Sequence, residues 1–136
     1  MPKAIKLRTD GHIEIIDVPQ KKSLLDWFYI QLQCGMIENV YPRGLEDPYM
    51  MVVDEEALLK DCPVINYLAS WLYQTQEHGH PICGTVLVMQ REWSPDGYNV
   101  VGIPENQVME LWTSFIRQMP DAIDMIRKKM GDQLKS

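Results

Sequence analysis

Long apolar runs are missing from this chain. No stretch approaches the ~20 consecutive apolar residues that a membrane-spanning helix needs; the longest, around residues 49–53, is the length of a strand. No membrane association is therefore expected. Cysteine is scarce as well. Cys34, Cys62 and Cys83 are odd in number and form no Cys-x-x-Cys pair, which argues against a disulfide framework or a zinc ribbon. No basic start followed by an apolar run marks a secretory signal, so the expectation is a cytoplasmic protein with free thiols. Positive charge is also short: thirteen Lys and Arg face nineteen Asp and Glu, a formal net charge of −6. The bases are scattered, as Lys3, Lys6, Arg8, Arg43, Arg91 and Arg117 show. A general nucleic-acid binder gains affinity by displacing counterions with Lys and Arg, and this chain is poorly equipped for that. The glycines form neither Gly-x-Gly-x-x-Gly nor a Gly-Lys-Ser/Thr loop, so no nucleotide cradle of known type is present.

What the chain has is core-forming material. With 136 residues, 46% apolar and 24% charged, it suits one globular unit able to bury its own core. Residues 4–7 and 13–18 read as two strands around Thr9-Asp10-Gly11, a hairpin turn. Ser23 offers a helix N-cap with Asp26 three residues on. Leu25, Phe28 and Leu32 follow at helical spacing, and Gly35 is placed to end the helix in the left-handed conformation. Residues 36–41 and 49–53 read as strands separated by a polar loop, and Asp54-Glu55-Glu56 as a solvated turn. Leu58 and Leu59 read as a short strand or one helical turn before Pro63. Asn66 caps a second helix carrying Leu68, Ala69 and Leu72 on one side.

A polar loop over residues 74–80 leads to a strand over 82–89, and Ser94-Pro95-Asp96-Gly97 signals a turn. Pro104 suits the first position of a third helix. Val108, Leu111, Trp112, Phe115, Ile116 and Met119 then give the cleanest amphipathic stripe in the chain. Pro120 is expected to break that helix. A last helix over 121–134 would carry Ile123, Ile126, Met130 and Leu134, with Arg127-Lys128-Lys129 on a solvated face. Strands and helices mix without a regular βα repeat, so the expected class is α+β. It would have a small, mostly antiparallel sheet, three core helices and an added C-terminal helix.

The middle of the chain resembles a known family. Gly35-Met36-Ile37-Glu38-Asn39-Val40 matches a Gly-x-Ile-Glu-x-Val strand, and DPYMMVVDEEALL (residues 47–59) a strand with a short acidic turn. Pro63-Val64-Ile65-Asn66, with Ala69 and Leu72 behind it, matches a Pro-x-x-Asn step, and Ile82-Cys83-Gly84-Thr85 an Ile-x-Gly-Thr strand. In this order they are similar to small proteins of bacteria, phages and plasmids described as domain of unknown function 3846, over residues 4–115. The resemblance divides the chain into one α+β domain, residues 1–119, and an appended helix, residues 120–136. The chain departs in the acidic turn, with Glu56-Ala57-Leu58 where relatives often carry Glu-Gly-Lys. The resemblance implies a fold and a mobile-element setting and brings no activity with it.

Chemistry-bearing constellations are few. His78-Gly79-His80-Pro81-Ile82-Cys83 holds two imidazoles and a thiol, a set that zinc could use. His-x-His shares one face only in extended chain, Gly79 and Pro81 suggest a loop, and no partner spacing supports it; the reading is structural, with no metal or other cofactor. Cys34 falls where the first helix ends, where the dipole disfavours a thiolate. No catalytic residues are assigned, and the reading favours a non-enzymatic protein. Asn66 is a cap or, read functionally, a polar group at a helix N-terminus able to meet an anion with Arg43 nearby. Trp71 lies off the Leu68–Leu72 stripe and Tyr73 beside it; they either face a partner or are covered by the last helix. Trp93 and Tyr98 flank the long loop, and exposed aromatics favour interfaces. The candidate binding residues are thus Asn66, Trp71, Tyr73 and Arg43. The expected function is a mobile-element or phage accessory protein that binds a host or element-encoded protein, as an anti-defence factor would. The alternative is a small-ligand, nucleotide-like binder, and behind it a metal or thiol hydrolase on His78, His80 and Cys83.

Overall fold

Ala4, Ile5 and Leu7 are buried in β1 (Lys3–Leu7), which turns through Gly11 at φ 93° into β2 (Ile13–Asp17). The computed structural model describes residues 1–134, and side chains for residues 1–131. The other strands are β3 (Ile37–Val40), β4 (Tyr49–Asp54), β5 (Val86–Ser94) and β6 (Gly97–Val101). All pairings are antiparallel in the order β2-β1-β5-β4-β3, with β6 also on β5. With helices α1 (Leu25–Leu32), α2 (Tyr67–Leu72), α3 (Thr75–His78) and α4 (Glu105–Leu134), this is an α+β fold. No helix among the described residues is long and apolar enough to cross a membrane.

The centre of the sheet, β1, β4 and the first half of β5, is buried on both faces, which explains the unbroken apolar run in β4. Val86 and Val88 join Met51, Val53, Ile5 and Leu7 in the larger cluster with Leu68, Leu72 and Phe115 of the helices. Leu87 and Met89 join Met50, Val52 and Ala4 on the other face, beneath Phe28 and Leu32 of α1. Adjacent residues thus point to opposite clusters, as the two-residue period of a strand requires.

Several local expectations are corrected. Ser23 does not cap α1 in the usual way; its Oγ accepts from the Leu25 N–H two residues on, at 3.3 Å. Gln33 at φ 50°, not Gly35, closes α1. An exposed polar residue takes the left-handed turn at a cost of roughly 1–2 kcal/mol, because the chain must reverse there to bring Ile37 onto β4. Residues 74–80 contain α3, framed by Gln74 and Gly79, both at positive φ. The strand expected from residue 82 starts at Val86 instead. Ile82 accepts from the Asn66 N–H, Cys83 bridges Ile65, and Gly84 at φ 81° bends the chain before β5. β5 then runs on to Ser94 and folds back through the expected turn into β6.

Pro120 does not break the helix. α4 runs unbroken from Glu105 to Leu134, so the two expected helices are one. The missing proline N–H leaves the carbonyl of Ile116 without its helical partner, but Ile116 and Pro120 are both exposed, on the solvent side of the helix. Phe115, Ala122, Ile126 and Met130 are buried and, with half-buried Met119, form one stripe across the proline. An interior proline costs about 3 kcal/mol; burying Ile126 and Met130 returns roughly 1.5–3 kcal/mol each. Packing wins. Trp112 anchors the first half of α4 to the sheet by donating from Nε1 to the Ile13 carbonyl at 2.8 Å. In the second half Arg127 lies over the Tyr67 ring at 5.5 Å, so it is not merely solvated. The place of Leu134 in the stripe lies outside the described side chains.

Candidate functional site

Asn66 has the N-cap position foreseen for it, with backbone in the β region and Oδ1 accepting from the Ala69 N–H at 3.1 Å. Its Nδ2 donates to the carbonyls of Leu7 and Gly84, both at 2.9 Å. The residue is 1% exposed. One amide therefore ties α2 to the end of β1 and to the bend before β5, and presents no free group to an anion. Arg43 is exposed and precedes Gly44, whose N–H donates to the Leu72 carbonyl at the far end of α2. A Cβ at Gly44 would come within 2.7 Å of that oxygen, so the loop needs glycine there. Asn66 and Arg43 thus mark opposite ends of α2 and are not brought together.

Trp71 and Tyr73 are half-buried and pack against the larger core cluster. Trp71 Nε1 donates to Gln118 Oε1 of α4 at 2.9 Å. Tyr73 meets the His78 ring edge-on at 5.0 Å. Of the two alternatives for this pair, cover by the long helix is what Trp71 has.

His78 and His80 stack at 5.2 Å, yet the His80 N–H donates to His78 Nδ1 at 3.0 Å and His78 Nε2 lies 2.8 Å from the Tyr73 carbonyl. Both nitrogens of His78 are thus engaged with backbone. Cys83 is buried beside Ile65, and burial pushes its thiol up. No group of three or more metal-ligating side chains occurs among the described residues. Cys34 is half-buried; burial, then the nearby Asp54 charge, raises its thiol too. Neither environment suits an attacking thiolate. Asp54 corrects the expectation of a solvated turn. Its side chain is 4% exposed, Oδ1 accepts from the Glu56 N–H at 2.9 Å, and Oδ2 meets Lys60 Nζ at 2.8 Å.

The most distinctive surface feature is one that sequence reasoning did not assemble. Arg91 of β5 lies 4.5 Å from the ring centre of Tyr41, 5.1 Å from Trp93 and 5.8 Å from Tyr98. Tyr98 meets Tyr41 and Trp93 edge-on, at 5.8 and 5.4 Å. Arg91 Nη2 donates to Asp47 Oδ1 at 2.6 Å, which fixes the loop between β3 and β4 against the sheet. Yet Trp93 remains 61% exposed and Tyr41 43%. The strand pairing explains the patch: Tyr98 sits opposite Trp93 across the β5–β6 pair. The available signal was the alternation of Arg91 and Trp93, which puts both on one face of β5.

A six-stranded antiparallel sheet with the long helix α4 packed on one face and the short helix α1 on the other defines an α+β domain. Residues 2–116 match the family described as Domain of unknown function (DUF3846), and the chain belongs to that family. No curated protein and no solved structure matches the chain.

Proposed function

We propose that this chain is a non-enzymatic accessory protein that binds another protein through the sheet end bearing Tyr41, Arg91, Trp93 and Tyr98. One observation carries the reading: a tryptophan left 61% exposed beside an arginine held among three rings. Trp, Tyr and Arg dominate binding hot spots, because large rigid side chains lose little conformational freedom on contact. The Asp47 ion pair and the ring contacts set Arg91 in place before a partner arrives. Arg43 is exposed two residues beyond Tyr41; Trp71, Tyr73 and the Asn66 cap belong to α2 and its ends, packed with the cluster on the other face of the sheet, and are not part of this surface. The setting proposed for this binding is a bacterial mobile element or phage, with a host or element-encoded protein as partner and an anti-defence role as its specific form. That setting is what the family resemblance implied. The test is capture from a bacterial lysate by the immobilised chain and by its Trp93→Ala/Tyr41→Ala form. Capture of a partner by the native chain and its loss in the variant, with stability changed by less than ~0.5 kcal/mol per site, supports the reading. Equal capture by both, or none by either, overturns it.

A further inference from the structure

The loop between β3 and β4 has a second side. While Asp47 faces Arg91, the neighbouring Leu45, Glu46 and Tyr49 turn toward α4 and line a cleft of about 470 Å³. Its floor is apolar: Leu45 and Phe115 are buried and Leu111 is half-buried. Its walls carry Glu46 from the loop and Glu110 from the helix, and the Tyr49 hydroxyl donates to Gln107 Oε1 at 3.4 Å. None of the residues lining it is Lys or Arg. Neither glutamate has an ion-pair partner among the described residues. The Tyr49 phenol is held above its ordinary range, by burial first and then by the Glu110 charge, so that carboxylate's field reaches the interior of the cleft.

An anion is disfavoured here, because two carboxylates would meet it. A wholly apolar ligand is disfavoured too, because it would strip water from those carboxylates without replacing the hydrogen bonds. We propose that the cleft binds a cation on an apolar stem, an alkylguanidinium or alkylammonium group, with the stem on Leu111 and Phe115 and the charge between Glu46 and Glu110. Lys and Arg side chains divide in this way, laying methylenes on apolar surface and keeping the charged head with acceptors. The same chemistry comes from two sources, a basic side chain of a protein or a free amine. The inference does not depend on the aromatic patch.

Calorimetric titration with butylguanidinium, butylammonium and neutral butylurea tests it directly, on the native chain and on Glu46→Gln/Glu110→Gln. Both substitutions are at exposed positions, so the variant folds, and its unfolding midpoint verifies this. Saturable binding of at least one cation is expected, with butylurea at least ~10-fold weaker and the variant weakened by a similar factor, about 1.4 kcal/mol. Tyr49→Phe, which keeps the ring, should retain most of the affinity. A blocked Gly-Arg-Gly peptide and its citrulline counterpart then separate the sources. Tighter binding of the arginine peptide than of butylguanidinium assigns the cleft to a protein side chain; weaker or equal binding assigns it to a free amine. No saturable binding of either cation, equal binding of butylurea, or an unchanged affinity in the double variant overturns the proposal. A Trp93→Ala chain that loses its protein partner yet still binds butylguanidinium separates this site from the aromatic surface.

Discussion

The indole of Trp71 and the amide of Gln118 meet across the α2–α4 contact, Nε1 to Oε1 at 2.9 Å, while Gln118 Nε2 donates onward to Ser114 Oγ at 3.0 Å. The tryptophan is therefore part of how the long helix is seated. Trp71→Phe keeps most of the ring and removes the donor, and should lower stability by about 0.5–1.5 kcal/mol. Trp93→Ala should change it by less than ~0.5 kcal/mol. Urea midpoints of the two variants, read against the native chain, check the contrast; a reversed order would mean that the two indoles had been assigned to the wrong roles.

Phe115 is 1% exposed and sits in the larger core cluster. Phe115→Ala removes a ring from a fully packed site and should cost about 3–5 kcal/mol. A loss below ~1 kcal/mol in chemical denaturation would contradict the packing of α4 on the sheet.

Asn66→Ala should forfeit the cap, worth about 0.5–2 kcal/mol, and leave the Leu7 and Gly84 carbonyls short of a donor, at roughly 1–3 kcal/mol more. Asn66→Asp is predicted to behave differently with pH. A carboxylate there would face two carbonyl oxygens, so the folded state favours its protonated form and raises its pKa. Its extra deficit should be absent below the ordinary carboxylate value of about 3.9 and grow as pH rises above it. Denaturation series at several pH values, for this variant and the native chain, give the difference directly; a deficit that does not vary with pH counts against the two carbonyl contacts.

Asp17 pairs with Lys3 across the β1–β2 hairpin, and that hydrogen bond holds the Asp17 carboxyl below its ordinary value of 3.8. A depressed carboxylate contributes stability that is present above its unfolded pKa and lost as pH falls through its folded one. The midpoint difference between the native chain and Asp17→Asn should therefore be full at neutral pH, begin to shrink below pH 3.8 and vanish once pH has passed the depressed folded value. Since the pair lies at the surface, added salt should shrink the difference as well. A difference that persists unchanged into strong acid would exclude this pair as its source.

Cys62 is exposed, Cys34 is half-buried and Cys83 is buried. Iodoacetamide under native conditions should modify Cys62 first and Cys34 more slowly. Cys83 should react only on unfolding, since its thiol is both shielded and raised by burial. Peptide mass spectrometry over a time course reads the order, and early labelling of Cys83 would contradict its place beside Ile65.

The elements whose signals are local were legible in the sequence. Strand alternation in residues 13–16, the Pro-Asp-Gly turn and the cap at Asn66 each follow from a few neighbouring residues. The errors share a different cause. Pro120 carries a correct local signal that tertiary packing overrides, because Ala122, too small to read as a stripe residue, connects Phe115 to Ile126 on one face. Gly35 is a good helix terminator that the geometry of β3 did not use. Residues 82–83 have strand-forming side chains, but their backbone is committed to α2. At the candidate surface, Trp93 and Tyr98 were visible as aromatics. Their gathering around Arg91 depends on β6, a strand that residues 97–101 do not signal by alternation, and on Tyr41, some fifty residues distant in sequence.

β5 touches β1, β4 and β6, and through β1 it holds a strand made near the start of the chain. That arrangement sets an order in time. At about 5–20 residues per second of ribosomal synthesis, the roughly eighty residues separating β1 from β5 take on the order of 4–16 s to appear. Through that interval the β1–β2 hairpin lacks its pairing with β5, an isolated hairpin is marginally stable in water, and the edge meant for Val86–Val88 is open to other strands. Long-range pairing of this kind also slows the search for the native state. The nascent chain is consequently most prone to mispairing before its central strand emerges, and a holding chaperone would matter in those seconds and little afterwards.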